Sequence, residues 1–143
     1  MFTKTAGSNG RYRVLVVEDE ALVATDIQNT LEHMGHIVLD RAATGEEAVR
    51  KTSSLRPDLV LMDVKLKGDM DGIRAGIEIR ALYQTPIIYL TAYSDPFLQG
   101  KSTGFLMPKN PVLSKPFDVA ELRWAIDTCL NGRSSTDRKT CHA

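Results

Sequence analysis

Apolar residues fall along this chain in a repeating two-part pattern. Short unbroken runs, VLVV at 14–17, LVLM at 59–62 and IIYL at 87–90, alternate with longer stretches in which apolar residues return every three or four positions. The first kind suits a strand covered on both faces, the second an amphipathic helix. After VLVV come Leu22, Val23, Ile27, Leu31 and Met34, a helical stripe stopped at Gly35. A short strand around His36 to Leu39 follows, then a helix opening at Thr44, where Thr44 and Glu47 make a capping-box pattern. The strand Leu59 to Met62 leads into a helix with the stripe Ile73, Ile77 and Ala81, and the strand Ile87 to Leu90 into a weakly helical stretch from Pro96. Val112 and Leu113 make a short last strand. In the final helix Asp118 is the N-cap with Glu121 three residues on, Phe117 staples against Leu122, and Val119, Leu122, Ile126 and Cys129 form the buried face.

Five strands alternating with five helices predict an α/β domain: a five-stranded parallel sheet, helices on both faces, right-handed crossovers. The folded domain is expected over residues 12–131, with a flexible leader at 1–11 and a polar, aperiodic, disordered tail at 132–143. A chain of 143 residues, 43% of them hydrophobic, builds one core of useful size and leaves almost no room for a second catalytic or DNA-binding domain. Eighteen basic residues balance eighteen acidic ones, so no global basic field draws the protein to nucleic acid or an anionic membrane. No apolar stretch is long enough for a membrane span, and MFTKTAGSNGRYR lacks the apolar segment of a signal peptide. Cys129 and Cys141 are too few for a disulfide framework, which points to a reduced, cytoplasmic protein.

In an open parallel sheet ligands bind outside the carboxyl ends of the strands, so the residues that close each apolar run carry the chemistry. Those residues are Glu18-Asp19-Glu20, Asp63, Thr91 and Lys115. Carboxylates converging on one sheet edge repel one another unless a cation joins them, and hard oxygen ligands suit Mg²⁺ or Mn²⁺. With an amine and a hydroxyl beside it, such a site is suited to phosphoryl groups, toward which a carboxylate is a competent nucleophile.

VLVVEDE, LVLMDVKL, IIYLTAYSD and LSKPF resemble, in that order, the motifs of the response-regulator receiver domain of two-component signalling. The likeness covers about residues 12 to 131 and implies the flavodoxin-like receiver fold with strand order 2-1-3-4-5. It implies that Asp63 is the phosphoacceptor, that Asp19 is a direct metal ligand with Glu18 acting through water, and that the backbone carbonyl of Lys65 is a further ligand. Thr91 is then the hydroxyl that rearranges onto the phosphoryl group, Ala92 the small residue that keeps access open, and Lys115 the pairing lysine, followed by a cis bond to Pro116. The implied partners are a sensor histidine kinase or phosphotransfer protein and a downstream protein or second copy. That last partner is bound through the face of the fourth helix, fifth strand and fifth helix. Such a protein catalyses only its own phosphorylation and dephosphorylation.

The sequence departs from that family in three places. Val112 stands at the switch position, three residues before Lys115, where an aromatic ring is common. From Thr91 to Lys115 the separation is 24, about two longer than the resemblance implies, and the intervening DPFLQGKSTGFLMPKNP holds three prolines and two glycines, so a short or mobile fourth helix is expected, with an order change over residues 95–111 as the readout. The loop VKLKGDMDG lacks the proline common there. Set against the phosphoacceptor reading are a receiver portion of a hybrid kinase or transcription factor, an aspartate-nucleophile phosphatase and a nucleotide-binding domain. The phosphatase type wants a second Asp where Lys65 stands, and no glycine-rich phosphate loop follows a strand. Plainer roles suffice elsewhere. His33 and His36 read as surface or loop residues, His142 as tail, Trp124 as a half-exposed packing residue, Cys129 as core, and Asp69 and Asp71 as loop-shaping and capping.

Overall fold

Val14, Leu15, Val16 and Val17 have no route to solvent in the computed structural model, which describes residues 10–92 and 111–131. They belong to β1 (Arg13–Val17), followed by α1 (Ala21–His33), β2 (Ile37–Ala42), α2 (Gly45–Leu55), β3 (Leu59–Asp63), α3 (Gly72–Tyr83), β4 (Ile87–Ala92), β5 (Val112–Lys115) and α4 (Val119–Ile126). A π-helical turn, Asp127–Asn131, extends α4. The weak helix expected from Pro96, the segment 95–111 up to its last residue, and nearly all of the expected leader and tail lie outside the described residues.

All strands pair in parallel, in the order β2-β1-β3-β4-β5. Successive strand residues point to opposite faces, and the core divides accordingly. Val14, Val16, Leu59, Leu61, Ile88 and Leu90 pack under α1 and α4 against Ile27, Leu31, Leu122 and Ile126. Leu15, Val17, Val60, Met62, Ile87 and Tyr89 pack under α2 and α3 against Ala48, Ala75 and Ile79. Each such side chain contributes about 1.5–3 kcal/mol on burial. Uniformly apolar strands thus serve two helical layers at once.

β2 is longer than the sequence pattern predicts. It runs to Ala42 because its pairing with β1 shifts register between Val14 and Leu15, which lets Asp40, Arg41 and Ala42 keep partners along an exposed edge. The cap of α2 is half a box: Glu47 N–H donates to Thr44 Oγ1 at 3.1 Å, but the Glu47 carboxylate accepts from Ala43 N–H. Asp71 caps α3 by accepting from Arg74 N–H, and the box at α4 is complete between Asp118 and Glu121.

Three helical stripes differ from expectation. α1 buries Ala24, Ile27 and Leu31 but leaves Leu22 85% exposed. α4 buries Leu122, Ala125 and Ile126, with Cys129 beyond it, while Val119 faces outward. α3 turns Ile77 (48% exposed) and Ala81 away from the sheet and buries Gly72, Ala75, Gly76 and Ile79 instead. The cause lies in the neighbours: the Tyr89 hydroxyl fills the space a Cβ on Gly76 would need, and the Asp63 backbone carbonyl fills that of Gly72. The helix meets the sheet through its smallest residues.

His36 is also not the surface residue its setting suggested. It is buried at the N-terminal pole of the sheet, where its ring stacks on Tyr12 with centroids 5.6 Å apart and Nδ1 accepts from Tyr12 N–H at 3.1 Å. That pole is closed further by Arg13, whose guanidinium donates to the carbonyls of Leu55 and Arg56 and whose N–H donates to Asp58 at 2.8 Å.

Candidate functional site

The opposite pole collects the chemistry. β1 ends at Val17 and delivers Glu18 and Asp19, β3 ends on Asp63, β4 on Thr91 and Ala92, and β5 on Lys115. One carboxylate oxygen from each of Glu18, Asp19 and Asp63 lies within 4.8 Å of the others. Glu18 and Asp63 are buried, at 4% and 6% exposure, and Asp19 is half-buried. The Lys115 ammonium spans the sheet to reach both buried acids, donating to Glu18 Oε1 at 3.1 Å and to Asp63 Oδ2 at 3.3 Å.

Backbone donors hold the remaining oxygens. Glu20 N–H donates to Glu18 Oε2 (3.2 Å), Lys65 N–H to Asp63 Oδ1 (3.2 Å), and Lys67 N–H to Asp19 Oδ2 (3.1 Å). These groups, with Ala92, line a crevice of about 270 Å³ open to solvent. A longer groove of about 690 Å³ adjoins it, sharing Glu20 and Lys115, and runs between α1 and the segment from Pro116 to Val119 over Leu22, Val23, Ile27 and Phe117.

The electrostatics follow from burial. Loss of solvent, then the charge of Asp63, push the Glu18 carboxyl up to about 7, against the pull of Lys115. Burial alone would depress the Lys115 ammonium, but its hydrogen bond to Glu18 and the charges of both acids outweigh that and hold it above its ordinary value. Three carboxylates gathered around one ammonium leave the site with an excess of negative charge. Three hard oxygen donors at this spacing fit a small divalent cation such as Mg²⁺.

Of the remaining residues singled out from sequence, Thr91 is buried and its hydroxyl has no hydrogen-bond partner among the described residues. Ala92 lies in register beside Lys115, and the bond from Lys115 to Pro116 is cis. Val112 is half-buried, and the residue paired with it on β4 is Tyr89, buried, with its hydroxyl pushed up to about 12 chiefly by burial. A ring therefore stands one strand away from the switch position. One contributor escaped the sequence reading: Lys67, whose N–H reaches Asp19 and which has no local signal, because it acts through a contact made by folding.

The fold and the crevice together define a doubly wound α/β domain with an acidic, lysine-bridged site at its strand ends. The chain belongs to the response regulator receiver domain family, whose pattern matches residues 14–127, and so to two-component signalling. It is similar to the phyllosphere-induced regulator PhyR of Methylorubrum extorquens, with 34% identity over 132 residues, 90% of this chain and 47% of that protein. The receiver domain of a modulated diguanylate cyclase from Desulfovibrio desulfuricans superposes with a TM-score of 0.76 at 32% identity, covering 87% of this chain and 97% of the other. A receiver domain from a Pseudomonas aeruginosa sensor histidine kinase, solved with magnesium coordinated in its active-site cleft, gives a TM-score of 0.71 at 36% identity over 85% of this chain and 99% of its own. The chain spans about half the length of the curated relatives it matches. None of the helices among the described residues is long and apolar enough to cross a membrane.

Proposed function

We propose that the chain is a phosphoacceptor receiver in which Asp63 takes a phosphoryl group from the phosphohistidine of a sensor histidine kinase or phosphotransfer protein. The observation that carries this reading is the pair of buried carboxylates, Glu18 and Asp63, bridged by one ammonium and joined by Asp19 within 4.8 Å. Asp19, Asp63 and the Lys65 carbonyl are the proposed direct ligands of Mg²⁺ or Mn²⁺, with Glu18 acting through water. When bound, the cation neutralises negative charge on the phosphoryl oxygens and the acids.

The residues of the chain do the rest. An Asp63 carboxylate oxygen attacks phosphorus while the phosphorus–nitrogen bond breaks and the imidazole leaves with the electron pair. Lys115, already on Asp63, is placed to pair with a phosphoryl oxygen afterwards. The buried Thr91 hydroxyl, without a partner among the described residues, gains an acceptor in the product, and Ala92 leaves the approach unobstructed. The adjoining groove along α1 gives a protein donor an apolar surface continuous with the crevice. Output runs through the face of β5 and α4 to a protein partner or second copy, and the chain turns over no other substrate.

Intact-mass measurement after incubation with Mg²⁺ and a small phosphodonor tests the reading. Wild type gains one phosphoryl group and Asp63→Asn gains none. Labelling of Asp63→Asn at the wild-type rate rejects Asp63 as acceptor.

A further inference from the structure

Of the six carboxylate oxygens on Glu18, Asp19 and Asp63, five are engaged. Lys115 takes one each from Glu18 and Asp63, and the N–H groups of Glu20 and Lys65 take the other two. Asp19 Oδ2 is held by Lys67 N–H, which leaves Asp19 Oδ1 as the one oxygen of the set with no hydrogen bond among the described residues. The three backbone donors are not equivalent. Those on Glu18 and Asp63 come from two residues along the same loop, whereas Lys67 is 48 residues from Asp19. Lys67 is fixed in turn by a parallel β-bridge to Thr44, the residue that caps α2. The loop after Asp63 is thereby pinned between the N-terminus of α2 and the mouth of the crevice.

We propose that Lys67 is a positioning residue of the cation site and acts through its backbone N–H. It holds Asp19 by Oδ2 so that Oδ1 is presented to an incoming Mg²⁺. Outer-shell donors of this kind set the orientation of a ligand before the metal arrives and spare it the entropy of ordering. A hydrogen bond to a charged carboxylate is among the stronger ones, so the restraint survives in a half-exposed place. The Lys67 side chain is secondary on this account: any residue with an N–H serves, and proline does not. The inference rests on the cation site proposed above.

Two substitutions separate backbone from side chain. Magnesium titrations followed by calorimetry, with melting in chelator as the folding control, are run on wild type, Lys67→Ala and Lys67→Pro. Lys67→Ala keeps the wild-type Mg²⁺ affinity within about twofold, and Lys67→Pro loses about tenfold, the low end for outer-shell partners. Equal affinity for Lys67→Pro and wild type overturns the inference, as does an equal loss in Lys67→Ala. Absence of Mg²⁺ binding by wild type instead overturns the cation site itself. Should Lys67→Pro not fold, amide exchange by NMR decides in folded chains. The Lys67 amide is protected in wild type and becomes faster-exchanging in Asp19→Ala, and an unchanged rate overturns the inference.

Discussion

Two residues at opposite poles give the molecule opposite responses to acid. Burial lowers the pKa of His36 from its ordinary value, Arg123 adds to this and Asp127 opposes it, while Nδ1 must stay unprotonated to accept the Tyr12 N–H. A group whose folded pKa is depressed contributes stability above its unfolded value, about 6.5, and that stability is lost as pH falls toward the folded value. Urea unfolding of wild type and His36→Asn at pH 7.5 and 5.5 reads this out: the stability advantage of wild type shrinks at the lower pH, and an unchanged difference contradicts the account. Glu18 behaves in the reverse sense. Its carboxyl is raised to about 7, so its contribution is full below about 4.5 and is lost as pH rises through 7. In chelator, removing the neighbouring charge with Asp63→Asn therefore stabilises the protein by about 1 kcal/mol at pH 8 and by less at pH 5, measured by thermal melts.

Among the elements, the strands were legible because their apolar runs are contiguous and the acids that close them stand at fixed positions. Glu18, Asp19, Asp63 and Lys115 could be gathered on one sheet edge from order alone. The helix faces were less so. In α3 the isoleucines at 73 and 77 and Ala81 form an attractive stripe, yet the face that touches the sheet is set by Gly72 and Gly76, whose emptiness admits the Asp63 carbonyl and the Tyr89 hydroxyl. Periodicity counts apolar side chains and is blind to places where none is wanted. His36 and Lys67 escaped for a related reason, since a partner 24 or 48 residues away leaves no mark in the local pattern. Gly76→Ala tests the close approach. Helix propensity alone favours alanine by about 1 kcal/mol, but the Cβ collides with Tyr89, so a net loss of about 1–3 kcal/mol is expected in denaturant unfolding. Tyr89→Phe, which removes the colliding oxygen, recovers part of that loss in the double variant. A loss of the same size with and without the Tyr89 hydroxyl contradicts the contact.

For the whole molecule, a cation at the proposed site would be an adjustable contribution to stability. Folding gathers carboxylates that the unfolded chain keeps apart, so Mg²⁺ at the proposed site is expected to favour the native state, by about 2.7 kcal/mol at one hundred times its dissociation constant. Melting curves with Mg²⁺ and with chelator show this as a rise in melting temperature in wild type that is much reduced in Asp19→Ala; equal rises in both contradict the cation site. The sheet is thus built with two unlike ends. One is closed, with Tyr12 and His36 buried and stacked beside an Arg13–Asp58 ion pair, and the other is acidic and open. Asp127, at the start of the last turn, lies close enough to act electrostatically on both Tyr12 and His36, so the first and last described elements meet on the closed side. Traffic with the crevice and with the seam where the first and last described elements meet therefore runs on separate faces, so a change at one leaves the other free.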